Sequence, residues 1–266
     1  MSPGLTLVLM GPALVLLALV FLWPLLQYAW LSGHASSVLT GLEPLANEGA
    51  NWQRLLGDAR FWQDAAFTLR FALVSVGLEL LLGMGIALLL QRPGRGRGLL
   101  RAITLLPWAL PGTVMALGWR WIYNEPYGPL NALIQAVSGH VYGFLSTPST
   151  TWLFAVLADV WKTTPFVALL LLAGLQSLPK EPFEAAAIDG ARPMRRFWTV
   201  IFPLLSPTIF FLLVINIVYA FFDTFGVIHA VTLGGPAGAT NILVYKVFND
   251  GFVGLDLGSS SAQSVV

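Results

Sequence analysis

Residues Glu184–Val227 read EAAAIDGARPMRRFWTVIFPLLSPTIFFLLVINIVYAFFDTFGV: an alanine-rich turn, a basic segment and then a long apolar run. Pro179 and Pro182, just ahead of it, suit a helix opening, where the missing N–H costs nothing. Glu184 then falls in the first turn, where a carboxylate favours the positive end of the helix dipole. Ala185–Ala187 keep the helix surface narrow, so another protein can approach closely. Asp189-Gly190 is a stop-and-turn signal, because glycine readily enters the left-handed conformation. Pro193 is expected to open a second helix, and Pro203 to end it where the next run begins. From Leu205 to Val227 the chain is apolar over the roughly 20 residues that a helix needs to cross a ~30 Å hydrocarbon core. The stretch is therefore expected to form a compact helix–turn–helix attached to a membrane span.

Four other runs are long enough to span: Leu5–Trp30, Ala66–Leu90, Ala102–Ile122 and Thr151–Leu175. Leu5–Trp30 has no basic residue before it and exceeds the ~7–15 apolar residues of a signal-peptide core, so it is expected to be a retained first span. Of 266 residues 56% are hydrophobic and 10% charged, against about 25% charged in a soluble domain. The mean hydropathy is +0.75. The expected fold is all-α, a polytopic membrane helix bundle forming one transmembrane domain over 1–266, with a protruding loop at 178–204. A formal net charge of +1 excludes a strongly basic nucleic-acid binder. The absence of cysteine removes disulfides, thiolate metal sites and cysteine nucleophiles. Three scattered histidines (His34, His140 and His229) make no metal cluster, so no metal site is expected.

Lys and Arg in the connecting loops set the orientation. Arg92, Arg95, Arg97 and Arg101 lie in 91–101, and Lys180, Arg192, Arg195 and Arg196 in 176–204. Those eight stand against Arg54, Arg60 and Lys246 in the segments 31–65, 123–150 and 228–260. The N-terminus and both basic loops are thus expected in the cytoplasm, with Trp30, Trp121 and Trp152 at span ends. Short helices are expected near Asn51–Asp64 and Leu130–Val137. Pro107 and Pro111, followed by Gly112 and Gly118, interrupt the third span. Interrupted spans commonly line a substrate path, although a simple kink near the helix start fits the sequence equally. Five spans would leave the C-terminus outside, and Gly258–Val266 turns apolar as it ends, so a sixth span is expected to be missing from this sequence.

The spacing Glu184-Ala185-Ala186, three residues, Gly190, nine residues, Val200, one residue, Phe202-Pro203 resembles the EAA motif of ABC importer permeases. Val200 and Phe202 replace the isoleucine and leucine of that pattern and keep its apolar character. The resemblance covers nearly the whole chain. Tyr127–Asn131 (YGPLN), Asp159–Lys162 (DVWK) and Phe221–Gly226 (FFDTFG) look like carbohydrate-type importer permeases. Val218–Phe225, Gly234-Gly235-Pro236 and Gly251–Leu257 are similar to permease subunits of sn-glycerol-3-phosphate importers. The resemblance implies a six-span, non-catalytic permease in a bacterial inner membrane. It also implies a second permease subunit as heterodimer partner, two copies of an ABC ATPase and an extracytoplasmic solute-binding protein. Glu184, Ala185, Ala186, Asp189, Gly190 and Pro203 are then the expected coupling residues, on which the ATPase docks. No G-x-x-x-x-G-K-[ST] loop occurs in the chain, so ATP and Mg are expected on the partner ATPase, and this chain is expected to hold no cofactor. The implied cargo is a sugar, a glycosylated polyol or a glycerol-3-phosphate-like solute.

Ionisable residues within spans point to function because they are costly there. Glu79, Arg120, Asp159, Lys162 and Asp223 are such residues. Asp159 and Lys162, three apart, share a helix face and are expected to pair, which would serve a pathway or simply neutralise both. Arg120 and Lys162 are placed to meet a phosphate or a sugar hydroxyl, and Arg120 could equally snorkel to the interface. Trp161, Tyr219, Phe221, Phe222 and Phe225 offer rings to stack on a sugar or to pack the bundle. The expected pathway set is Arg120, Asp159, Lys162, Tyr219, Phe222 and Asp223. Two other classes compete with an importer. An ion-gradient-driven carrier would use Glu79 or Asp223 to move protons, and ATP dependence of uptake separates it from an importer. An intramembrane enzyme is disfavoured, since no paired catalytic motif occurs within a span.

Overall fold

The computed structural model describes residues 3–91, 94, 96–125 and 127–266, so Arg92 and Arg95 of the basic loop lie outside the described residues. In chain order the helices are α1 (Pro3–Leu17), α2 (Trp23–Ser32), α3 (Ala50–Gly57), α4 (Ala59–Gln91), α5 (Arg97–Ala109), α6 (Gly112–Ile122), α7 (Pro129–Ser138), α8 (Pro148–Ser177), α9 (Glu181–Ile188), α10 (Pro193–Arg196), α11 (Phe202–Phe222), α12 (Thr224–Val227), α13 (Leu243–Phe248) and α14 (Leu257–Val265). The all-α class holds apart from a two-residue antiparallel pair, β1 (His34–Ala35) and β2 (Leu45–Ala46). Among the described residues, Val8–Ser32, Ala59–Gln91, Pro148–Ser177 and Pro193–Phe222 are long and apolar enough to cross a membrane, and Gly98–Ala109 with Gly112–Ile122 makes a fifth if taken as one broken span.

Of the two readings of the third span, an interruption and a simple kink, the structure shows the interruption: Leu110 and Pro111 separate α5 from α6, which meet at 91°. Leu110 is forced extended (ψ 137°) by the proline that follows it, and Pro111 itself adopts ψ 133°, so the helical ladder stops. Pro203 does not end a helix. A π-turn at Phe197–Ile201 joins α10 to α11, and the chain runs helically from Pro193 to Phe222. Downstream, Pro207 cannot donate to the Pro203 carbonyl, and the Ser206 hydroxyl donates to it instead at 2.8 Å. The helix that carries the expected second span, α4, begins at Ala59, and α3 precedes it as a separate short helix.

The chain forms two compact units, Met1–Ala65 with Leu243–Val266, and Ala66–Ile242. In the first, large apolar side chains from Val8 to Trp30 stand exposed, which hydrocarbon tolerates and water does not. Its core joins α3 and the start of α4 to α14 through Leu55, Phe61 and Ala262. Asn51, fully buried, donates from Nδ2 to the carbonyls of Ser32 (3.0 Å) and His34 (2.8 Å). Gly258 lies so close to the His34 carbonyl that any side chain would collide with it. Lys246 Nζ bridges Asp250 (2.8 Å) and Asp58 (3.4 Å), and Gln263 Nε2 donates to Asp250 at 2.7 Å. Asp256 caps α14 by accepting from the Ser259 N–H at 3.0 Å.

In the second unit α4, α8 and α11 pack around Ala87, Val167, Leu171, Leu172, Leu205 and Leu212. Small residues allow this approach. A Cβ on Gly83 would fall 2.8 Å from Val167 Cγ1, and one on Gly174 would fall 2.8 Å from Leu205 Cδ1. A second cluster, with Met115, Tyr123, Phe144, Ala158 and Val227, seats α6 against α8 and α12. Beside it, the fully buried Asn131 of α7 pins the following loop by exchanging two hydrogen bonds with the Tyr142 backbone (2.9 and 2.8 Å).

Candidate functional site

Two places in the second unit gather the residues singled out from the sequence. The first is the loop at 178–204. α9 opens with Glu181 and Pro182 and carries Glu184 in its first turn. It closes in a Schellman motif: the Ala191 N–H bonds the Ala186 carbonyl (3.0 Å) and the Gly190 N–H bonds the Ala187 carbonyl (3.1 Å). Gly190 sits at φ +66°, where an L side chain is strained even though the space around it is open. Arg196 Nη2 then donates to the Ala191 carbonyl at 3.3 Å, tying the second arm to the turn. Glu184, Ala185, Asp189, Gly190 and Pro203 are exposed and Ala186 is half-buried. The same tip exposes Ile188 (86%) and Met194 (71%), which sequence reading passed over. A cavity of about 370 Å³ lies at its base, lined by Gln91, Gln176, Lys180, Phe183 and Glu184 among others.

The second place is a cavity of about 410 Å³ between α4, the α5–α6 break, α8 and α11. The break opens it: Trp108 and Leu110 line it from one side and Gly112 from the other. A Cβ on Gly112 would sit 3.4 Å from Lys162 Nζ, so the glycine leaves room for the ammonium. Glu79 and Asp159 are buried in its wall, exposed by 2% and 7%. Lys162 Nζ is 2.6 Å from Asp223 Oδ2, with Asp223 at the C-terminal end of α11. The pair expected within α8, Asp159 with Lys162, is therefore corrected. Lys162 takes its partner from the other helix, because α11 delivers a carboxylate to it across the cavity, and Asp159 stays buried beside Glu79 in the wall.

Of the expected pathway residues, Asp159, Lys162, Tyr219 and Asp223 line this one cavity. Phe222 borders a neighbouring cavity of about 280 Å³ that shares Gly112, Lys162 and Asp223. Arg120 lies elsewhere, in a cavity of about 370 Å³ with Tyr123, Glu125 and Pro236. The lining also contains Trp108, Phe166, Asn216 and Thr224, which had not been selected. Asn216, a lone amide in the run Val214–Val218, was detectable as a polar side chain in hydrocarbon. Trp108 and Phe166, stacked at 5.6 Å, had no signal beyond being aromatic.

A broken helix lining a cavity, costly ions within spans and an exposed capped loop together define a membrane transport subunit. The chain belongs to the family of binding-protein-dependent transport system inner membrane components, whose match spans residues 79–248, and is an ABC importer permease. It is 44% identical over 262 residues to the sn-glycerol-3-phosphate transport system permease protein UgpA of Agrobacterium fabrum, covering 97% of this chain and 87% of that one. It is 38% identical to the trehalose/maltose transport system permease protein MalF of Thermococcus litoralis, over 96% of this chain and 85% of that one. The fold also matches a chain of a bacterial ABC transporter involved in the import of the acidic polysaccharide alginate (TM-score 0.83, 17% identity, 98% of this chain and 89% of that one). It matches equally a chain of a bacterial alginate ABC transporter in complex with alginate pentasaccharide-bound periplasmic protein (TM-score 0.83, 17% identity, 98% of this chain and 88% of that one).

Proposed function

We propose that this chain is one of two different permease subunits through which an ATP-driven importer moves a sugar, a glycosylated polyol or a glycerol-3-phosphate-like solute. Its relatives in sn-glycerol-3-phosphate and trehalose/maltose systems support that range of cargo. The N-terminus and the loop at 178–204 face the cytoplasm, as the excess of Lys and Arg in the loops 91–101 and 176–204 supports. Two ATPase subunits bind ATP and Mg and dock on that loop through Glu184, Ala185, Ala186, Asp189, Gly190 and Pro203. An extracytoplasmic binding protein delivers the solute from the other side, and this chain holds no cofactor of its own.

The observation that carries the coupling role is the continuity of Pro193–Phe222. One uninterrupted helical rod begins three residues after the Gly190 turn, lines the cavity with Asn216 and Tyr219 and ends beside Asp223. At 1.5 Å per residue it is about 45 Å long. A push on the exposed tip therefore reaches the Lys162–Asp223 pair without crossing a flexible joint. When ATP draws the two ATPases together, the rod tilts and the cavity changes the side on which it opens. Gly190→Val is expected to leave membrane insertion intact and to abolish uptake, because valine is strained at φ +66° and the Schellman turn is lost. It is read by labelled-solute uptake alongside membrane content, and normal uptake would count against docking at the loop. Uptake into sealed vesicles that follows an ion gradient without ATP would favour a secondary carrier instead.

A further inference from the structure

We infer that the cavity between α4, the α5–α6 break, α8 and α11 passes neutral polyhydroxylated solutes, a sugar or glycosylated polyol, and discriminates against phosphate esters. The inference rests on the importer reading above and narrows its cargo. Its first support is charge. Among the described residues, the ionisable groups lining the cavity are Glu79, Asp159, Asp223 and Lys162. The one ammonium is already held 2.6 Å from Asp223. With that pair formed, the four groups sum to zero or to a negative charge, whatever protons Glu79 and Asp159 hold. A phosphate monoester carries about −1.5 to −2 at neutral pH and needs charge-assisted donors to replace its water. Among the described residues no second cation lines this cavity, and Arg120 lines a different one, in company with Glu125.

The second support is unspent hydrogen-bonding capacity. Asn216 and Thr224, each 1% exposed, keep Oδ1 and Oγ1 without a partner in the cavity wall. Buried polar atoms are normally satisfied. Asn216 Oδ1, which only accepts, and Thr224 Oγ1, which accepts and donates, join the carboxyl groups of Glu79 and Asp159 in a wall whose acceptors match the O–H groups of a polyol, while a phosphate's oxygens find no charged donor there beyond the paired Lys162. The third support is the aromatic side. Trp108 lies stacked on Phe166 at 5.6 Å and 16°, and Trp108 (50%) and Tyr219 (45%) keep half their surface open. Such faces suit the C–H side of a sugar ring. A volume of about 410 Å³ also lies within the ~300–1,000 Å³ of small-molecule sites.

The test uses the whole importer, this chain with its second permease, ATPase pair and binding protein, in proteoliposomes enclosing ATP. Labelled trehalose, maltose and glucosylglycerol serve as neutral probes and sn-glycerol-3-phosphate as the ester. At least one neutral probe is expected to enter at least tenfold faster than the ester. The double variant Glu79→Gln, Asp159→Asn is expected to narrow that ratio at least threefold, because it places amide N–H donors in the wall where a phosphate's oxygens can accept them, whatever protons the carboxyls held, while leaving the binding protein untouched. ATP-driven uptake of the ester as fast as, or faster than, every neutral probe overturns the inference and leaves the importer reading standing. A ratio unchanged in an assembled double variant overturns it too, since selection would then lie outside this cavity. If ATP drives none of the four probes across, the importer reading falls and the inference with it. The ratio in the native importer decides even if the double variant fails to assemble.

Discussion

Lys162 and Gly190 show how differently single residues can be read. Gly190 was legible because its signal is local: an Asp-Gly pair after an alanine-rich helix calls for a left-handed residue, and the chain places one there at φ +66°. Lys162 was legible as a costly charge in a span but not in its pairing. Asp159 is three residues away on the same helix, whereas the partner it takes, Asp223, is 61 residues distant, and only the packing of α8 on α11 brings the two together. Local spacing favoured the wrong carboxylate. Lys162→Met keeps the length and apolar stem of the side chain and removes the ammonium. Uptake is expected to fall at least tenfold. The melting temperature in detergent should move little, by less than about 1 kcal/mol in stability, because Asp223 is 64% exposed and can hydrate when left alone. Loss of folding together with uptake would show that the pair is structural.

At the scale of elements, the apolar runs announced the helices, since roughly 20 apolar residues have few other uses. Their ends and breaks were less legible. Pro111 bends the chain by 91°, whereas Pro165 and Pro207 sit within α8 and α11 without ending them. A proline removes one hydrogen bond in every case, and surrounding packing decides whether the helix continues. Gly112 beside Lys162 and the extended Leu110-Pro111 make the break useful at this one place. The clasp in the first unit was also beyond sequence reading, because it joins α3 and α4 to a segment almost two hundred residues later. Lys246 lies outside the spans, with its side chain 13% exposed. Burial alone would lower its pKa, but the hydrogen bond it donates to Asp250 and the charges of Asp250 and Asp58 outweigh that and hold it above the ordinary 10.5. A lysine raised in this way stabilises the fold fully below its unfolded value and loses that contribution as pH rises through the folded one. Lys246→Met is therefore expected to cost about 1–2 kcal/mol across pH 6–9, leaving Asp58 and Asp250 facing each other. The gap between native and variant melting temperatures should close above pH ~10.5. A gap that instead widened with pH would contradict the clasp.

For the whole molecule, composition and the loop motif were enough to reach the class of protein, because membrane-spanning chemistry and the EAA spacing both survive in linear sequence. The cavity was not, since its wall comes from α4, α5, α6, α8, α11 and α12, and the unpartnered Asn216 Oδ1 and Thr224 Oγ1 matter only once packing places both in that wall. The loop at 178–204 remains the centre of the account, as the chain's one proposed connection to an energy source. The chain contains no cysteine, so an introduced thiol is unique. Ile188→Cys places one on the exposed tip of α9, and Leu39→Cys places one in the segment 31–65, where Leu39 is 97% exposed. In intact cells carrying the assembled importer, the thiol at 188 is expected to resist a membrane-impermeant maleimide and to cross-link to the ATPase subunit with a short bis-maleimide. The thiol at 39 is expected to label from outside and to leave the ATPase uncoupled. Labelling of position 188 from outside, with no cross-link to the ATPase, would contradict the account.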